Sequence, residues 1–191
     1  VKLSKITGLN QSTVSKITSE LIGEGAIYEA SRGDGNALGR KPVNLKVSPG
    51  YRIYGAIDIT LHHTTLSVCD LSGDVLSQQQ LETYPVDPVR FFDTCASKLA
   101  EMVKEFTQPL AGVSVIIPAV LNSKTGKIYW NLALGWEDIN CRDLIEPYFD
   151  CPVFVENDAK AGAVAELWFA DEVRGLRDFV YVLVCEGVGS G

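Results

Sequence analysis

The fold turns on one stretch, Val153-Phe154-Val155-Glu156-Asn157-Asp158-Ala159. Val153–Glu156 reads as a buried strand, and the small and apolar residues from Ala159 to Phe169 read as the helix that follows it. Taken locally, Asp158 would cap that helix and Asn157 would close the turn before it. Working back along the chain, Val113–Ile117 is a second buried strand, preceded by a helix from Pro88 to about Phe106. Earlier still, Ile53–Ile59, Thr65–Asp70 and Val75–Glu82 alternate apolar and polar residues around Ser72-Gly73, the pattern of an antiparallel meander. Phe179–Cys185 supplies a last strand. This order of elements makes residues 53–191 an α/β domain, reached through the turn Pro49-Gly50.

Residues 1–52 read differently. Val1–Thr7 is the end of a helix, broken at Gly8-Leu9-Asn10, and Asn10 is placed to cap a second helix whose Val14, Ile17, Leu21 and Ile22 share one face until Gly25. Two helices joined by a tight turn form a helix-turn-helix pattern. Gln11, Ser12, Thr13, Ser15 and Lys16 face outward at the start of the second helix, polar side chains suited to base edges and phosphates. A strand (Ala26–Ala30), a glycine-rich tip (Arg32–Pro42) and a second strand (Val43–Val47) then form a wing. From it Arg40 and Lys41 would reach a phosphate or a narrow minor groove. An ordinary surface hairpin of helices would need no such wing, so the segment reads as a winged helix-turn-helix DNA-binding domain over residues 1–52.

Charge supports that division. The 191 residues carry a net charge of −7 with a pI near 4.8, which taken as an average argues against a nucleic-acid partner. Yet residues 1–52 hold eight bases and four acids, a balance of +4, and leave −11 for the rest. A basic head on an acidic body fits one domain that meets phosphate and another with a separate task. With 46% hydrophobic residues and a mean hydropathy of +0.09, the chain can bury a core and is not disordered. Five cysteines without a C-x-x-C pair, and two adjacent histidines without ligand spacing, lead us to expect free thiols, no disulfide and no metal or other cofactor. No run approaches the roughly 20 apolar residues of a membrane span. A cytoplasmic location without membrane insertion is the expectation.

Ile57-Asp58-Ile59, Cys69-Asp70, Leu134-Gly135-Trp136, Glu156-Asn157-Asp158-Ala159 and Glu186-Gly187-Val188-Gly189-Ser190-Gly191 occur in an order that resembles the ROK family (repressors, open reading frames, kinases). The chain is similar to its xylose- and N-acetylglucosamine-responsive transcriptional repressors. The resemblance implies an actin-like ATPase (ribonuclease H-like) lobe for residues 53–191. It also implies a fold incomplete at both ends, with a helix before Val1 and a second lobe after Gly191. The family's zinc motif, a cysteine cluster with a histidine, would lie in that second lobe.

The resemblance further implies that Asn131, Asn157 and Asp158 contact a sugar, Asp158 accepting from hydroxyls and Asn157 both donating and accepting. In a kinase Asp158 would be the general base on the sugar's primary hydroxyl. Pro118-Ala119 stands where the kinases have Pro-Gly and would shape the pocket wall. The phosphate loops depart from the kinase pattern. Asp58-Ile59 is followed by Thr60, Leu61 and His62 where kinases have glycines and a threonine, although Asp58 and Asp70 keep the family's twelve-residue spacing. Glu186 puts a carboxylate where a hydroxyl would meet ATP. Lys160 replaces the usual asparagine. The reading is therefore a sugar- or sugar-phosphate-responsive DNA-binding regulator, a homodimer or dimer of dimers on operator DNA, and not an enzyme. The alternative is an ATP-dependent sugar kinase with a DNA-binding head. A third reading has a protein partner docking on the acidic body.

Overall fold

The computed structural model describes residues 2–32, 43–84, 87–170, 172–173, 176, 178–185 and 187–191. Its elements in chain order begin with α1 (Lys2–Thr7), α2 (Gln11–Gly23), β1 (Ile27–Arg32) and β2 (Val43–Val47). A short 3-10 turn at Pro49–Tyr51 leads to β3 (Ile53–Ile59), β4 (His63–Asp70), β5 (Val75–Glu82), α3 (Pro88–Val103) and β6 (Leu110–Ile117). Next come β7 (Val120–Asn122), β8 (Lys127–Asn131), β9 (Trp136–Asn140), α4 (Cys141–Ile145), β10 (Val153–Asn157) and α5 (Asp158–Phe169). The described chain closes with β11 (Val182–Val184) and β12 (Val188–Ser190).

The Asn10 side chain accepts from the Thr13 backbone N–H at 2.8 Å, so the residue expected to start α2 does so. Neither α1 nor α2 buries a residue. Their apolar faces, with Ile27, Leu45 and Val47 of the antiparallel β1–β2 hairpin, instead line an open groove of about 330 Å³. The hairpin's tip, including Arg40 and Lys41, lies outside the described residues.

The main sheet has the order β10-β6-β3-β4-β5. β3, β4 and β5 form the antiparallel meander, while β6 and β10 join β3 in parallel, as crossovers through α3 and later elements require. Along α3 the side chains of Phe91, Phe92, Cys95, Ala96, Leu99 and Met102 are buried, a stripe at helical spacing. Gly55 is what lets this helix approach, because a Cβ there would stand 3.0 Å from Leu99 Cδ2. Each large side chain in this stripe contributes about 1.5–3 kcal/mol of transfer free energy. Burial also pushes the Cys95 and Cys141 thiols up to about 12, and all five cysteines are free.

Among the features that differ from the expected outline, the strand expected over Phe179–Cys185 covers only Val182–Val184. α3 ends at Val103 instead of Phe106, because Lys104, Glu105 and Phe106 donate to Glu101, Met102 and Val103, three residues back, and so wind into tight turns. A separate three-stranded sheet, β7-β8-β9, is inserted in the chain between β6 and β10. It is anchored by the 2% exposed Trp136, whose ring lies 5.2 Å from both Phe91 and Phe92 of α3. This anchor matters to the site, because Trp136 pairs across β8–β9 with Asn131.

Candidate functional site

Parallel β3, β6 and β10 end together. Asp58 is in register with Ile116, and Ile116 with Glu156, so the two acids stand on strands either side of β6. Immediately beyond β6, two consecutive carbonyls organise the candidate amides. The Asn131 Nδ2 donates to Pro118 O at 3.0 Å, and the Asn157 Nδ2 donates to Ala119 O at 3.3 Å. Pro118-Ala119 thus brings together two asparagines 26 positions apart in sequence.

Asn131 is 2% exposed, and its Oδ1 accepts from Leu134 N at 2.9 Å, closing the turn that carries Gly135 at φ +68°. Asn157 is the N-cap of α5, its Oδ1 accepting from Ala159 N and Lys160 N at 3.1 and 3.3 Å. The cap is therefore the carboxamide, and Asp158 is the first helical residue. Asp158 Oδ1 accepts from Ala159 N at 2.9 Å, which leaves Oδ2 with no hydrogen bond from the described residues. That oxygen, on a half-buried residue at the positive end of a twelve-residue helix, is the group best placed to accept from a ligand hydroxyl.

Sequence reasoning missed two partners. Glu156 accepts from Ser123 Oγ at 2.9 Å through Oε2 and from Asn157 N at 2.9 Å through Oε1, so it ties the β7–β8 turn to the start of α5. Arg142 holds that same turn by donating to the Ser123 and Lys124 carbonyls. Glu156 sits inside a quoted motif, but its partner is 33 positions away on a strand pair the sequence pattern does not reveal. The second is Asp58, whose carboxyl is held above its usual range by partial burial first and by the charge of Asp158 second, with His63 opposing. The shift marks Asp58 and Asp158 as neighbours across the ends of β3 and β10.

The turn after β3 closes on itself. Thr60 N and Oγ1 both donate to His63 O, at 2.9 and 2.7 Å, and His63 N donates to Thr60 Oγ1 at 3.3 Å. At the other expected loop, Gly187–Ser190 enters the β11–β12 hairpin, and Gly189 and Gly191 pack against Ala159 of α5. Glu186 lies outside the described residues. No group of His, Cys, Asp or Glu among the described residues is arranged to hold a metal ion.

On the N-terminal unit, Gln11, Ser12, Ser15 and Lys16 are exposed at the start of α2 and Thr13 is half-buried. Ser12 Oγ donates to Asn10 Oδ1 at 2.8 Å, and Lys16 Nζ stands 3.9 Å from Glu20 Oε1. Arg40 and Lys41 are not among the described residues. No helix among those residues is long and apolar enough to cross a membrane.

Comparison with known proteins places these features. The xylose repressor of Caldicellulosiruptor bescii is 27% identical over 194 residues, covering 100% of this chain and 48% of that protein. The transcriptional dual regulator NagC of Escherichia coli K12 is 28% identical over 200 residues, covering 100% of this chain and 47% of its own. The chain thus spans about half the length of the curated relatives it matches. Among solved structures, a ROK family transcriptional regulator, a homologue of the E. coli MLC protein, superposes with a TM-score of 0.79 at 22% identity, over 99% of this chain and 48% of that one. The ROK hexokinase of Thermus thermophilus superposes with a TM-score of 0.61 at 26% identity, over 73% of this chain and 46% of that one. The mixed α/β lobe is thus the fold shared with those sugar kinases. The ROK family profile matches residues 54–191, and the chain belongs to the ROK family.

Proposed function

We propose that this chain is the DNA-reading and sugar-sensing part of a carbohydrate-responsive transcriptional repressor. The observation that carries the reading is one of coverage. The xylose repressor and NagC match the chain from end to end, whereas the hexokinase matches 73% of it. Residues 1–52, with their +4 charge, are thus what this chain shares with the repressors. Residues 1–52 act as a winged helix in which Gln11, Ser12, Thr13, Ser15 and Lys16 read the major groove and Arg40 and Lys41 reach phosphate or the minor groove. Residues 53–191 form one lobe of the sensor. Asn131, Asn157 and Asp158 hold a sugar or sugar phosphate, and the bound sugar changes operator affinity by binding the DNA-competent and DNA-incompetent states unequally. Two heads in a dimer read half-sites about one helical turn apart.

Phosphoryl transfer is not part of the proposal. The backbone donors of Thr60 and His63 are committed within their own turn, which supports a loop no longer available to ATP phosphates. The hexokinase superposition and the open Asp158 oxygen favour the kinase as second reading, with Asp158 as base.

Fluorescence anisotropy of the full-length protein on its own upstream DNA, titrated with free and phosphorylated sugars at fixed salt, tests the proposal. Affinity above that for random DNA and a shift with one sugar are expected. DNA binding no tighter than to random sequence overturns it, as does sugar-dependent ADP release above about 1 s⁻¹. Arg40→Ala should weaken operator binding and flatten its salt dependence while leaving sugar affinity intact. Unchanged DNA affinity would remove Arg40 from the interface.

A further inference from the structure

The sugar-side edge and the DNA-reading helix stand at opposite ends of β3, and one continuous set of contacts joins them. Asn157 caps α5, whose twelve residues span about 18 Å as a helix. At its far end the Phe169 ring lies over Gly73, where a Cβ would be 2.9 Å from ring carbon Cε1. Gly73 has φ +89°, and its turn is organised by Asp70, whose Oδ1 accepts from Ser72 N at 2.7 Å and Asp74 N at 3.1 Å. From the same turn Leu71 N donates to Pro49 O at 3.4 Å, inside the Pro49–Tyr51 connection. Tyr51 completes the path, its hydroxyl 3.5 Å from Glu24 Oε2 at the C-cap of α2. Ser48 N donates to Ala26 O at 2.9 Å and fixes the connection to the same helix end.

From this path we infer that α5 is the rod by which the sugar site sets the orientation of the DNA-reading head, with Phe169 on Gly73 as the positioning contact between rod and connection. The inference rests on the sugar-responsive reading above. A helix capped by a sugar-contacting carboxamide moves as a unit when that cap is pulled or released, and a packed ring on a left-handed glycine turn transmits the shift instead of absorbing it. Phe169 is 64% exposed, so its truncation removes the contact without opening a core cavity.

The test measures operator affinity of the full-length protein with and without saturating D-xylose or N-acetyl-D-glucosamine, and sugar affinity separately. In wild type the sugar should change operator Kd by at least about fivefold, the lower end of ordinary coupling. Phe169→Ala should bring that ratio to within about twofold of one, with sugar Kd and sugar-free operator Kd each within about threefold of wild type. Phe169→Tyr keeps a ring over Gly73 and should restore the ratio, whereas Asp70→Ala, which loosens the turn, should reduce it. A wild-type ratio retained in Phe169→Ala overturns the relay while leaving the repressor reading intact. If operator affinity in wild type responds to neither sugar, relay and sugar-responsive reading fall together.

Discussion

Replacing Asn131 by alanine isolates the contact on which the geometry of the candidate site depends. The side chain is 2% exposed and makes two hydrogen bonds, to Pro118 O at 3.0 Å and from Leu134 N at 2.9 Å. Truncation orphans the backbone N–H of Leu134, itself 4% exposed, at a cost of about 1–3 kcal/mol. The Pro118 carbonyl loses a donor at smaller cost, so the total loss is about 2–4 kcal/mol. With a urea dependence of about 2 kcal/mol per molar, the unfolding midpoint should fall by about 1–2 M. Asn131→Asp is the control, since a carboxylate still accepts from Leu134 N but sets an oxygen against Pro118 O. It should be destabilised at pH 7 and recover when acid protonates the new carboxyl, which then donates to the carbonyl. Urea unfolding followed by tryptophan fluorescence reads both variants. An Asn131→Ala midpoint within about 0.2 M of wild type, or an Asn131→Asp protein as stable as wild type at pH 7, would refute the assignment of those two bonds.

Two further substitutions probe neighbouring parts of the site. Gly126 has φ +77°, and a Cβ there would collide with Arg142 Cβ, so Gly126→Ala should cost at least about 2 kcal/mol in the same unfolding assay. Because the clash displaces the arginine that holds Ser123, it should also weaken sugar binding; a neutral substitution would show the turn to be slack. Asp58, held above its usual range, binds its proton more tightly in the folded state than in the unfolded chain. Its ionised form therefore detracts from stability at neutral pH, and that loss fades as pH falls through the raised folded-state value and is gone below the ordinary value of 3.8. Asp58→Asn should be more stable than wild type at pH 7, with the difference closing as pH falls from 7 toward 3.8; a gap that stays constant across this range would contradict the assignment.

What the sequence reveals follows the length and regularity of its elements. β3, β6 and β10 are apolar runs at strand spacing, α3 carries a clean helical stripe, and Asn10 sits where a cap must be, so each is readable without a partner. The β7–β9 sheet is not, because its strands are three to five residues long and expose Tyr129 and Trp130 while burying Ile128 and Asn131, a pattern broken by a bulge at Val120/Leu121. The same obstacle hides the site's scaffold. Asn131, Asn157 and Asp158 are identifiable by resemblance, but the Pro118-Ala119 carbonyls that hold the two amides, and the Ser123–Glu156 tie, are properties of chain segments brought together only by folding. The capping of α5 shows the limit at its finest. Asn157 and Asp158 are both good capping residues, and only the backbone decides that the first takes the role.

The sensing claim rests on Asp158, whose second oxygen is open at the start of α5. The most direct measurement is operator Kd of full-length wild type and Asp158→Ala, each with and without saturating D-xylose or N-acetyl-D-glucosamine, at one fixed salt concentration. Wild type should show a change of at least about fivefold with one of the two sugars, the variant none, and sugar-free operator affinity should be equal in both. A sugar-induced change of the same size in Asp158→Ala would contradict the claim.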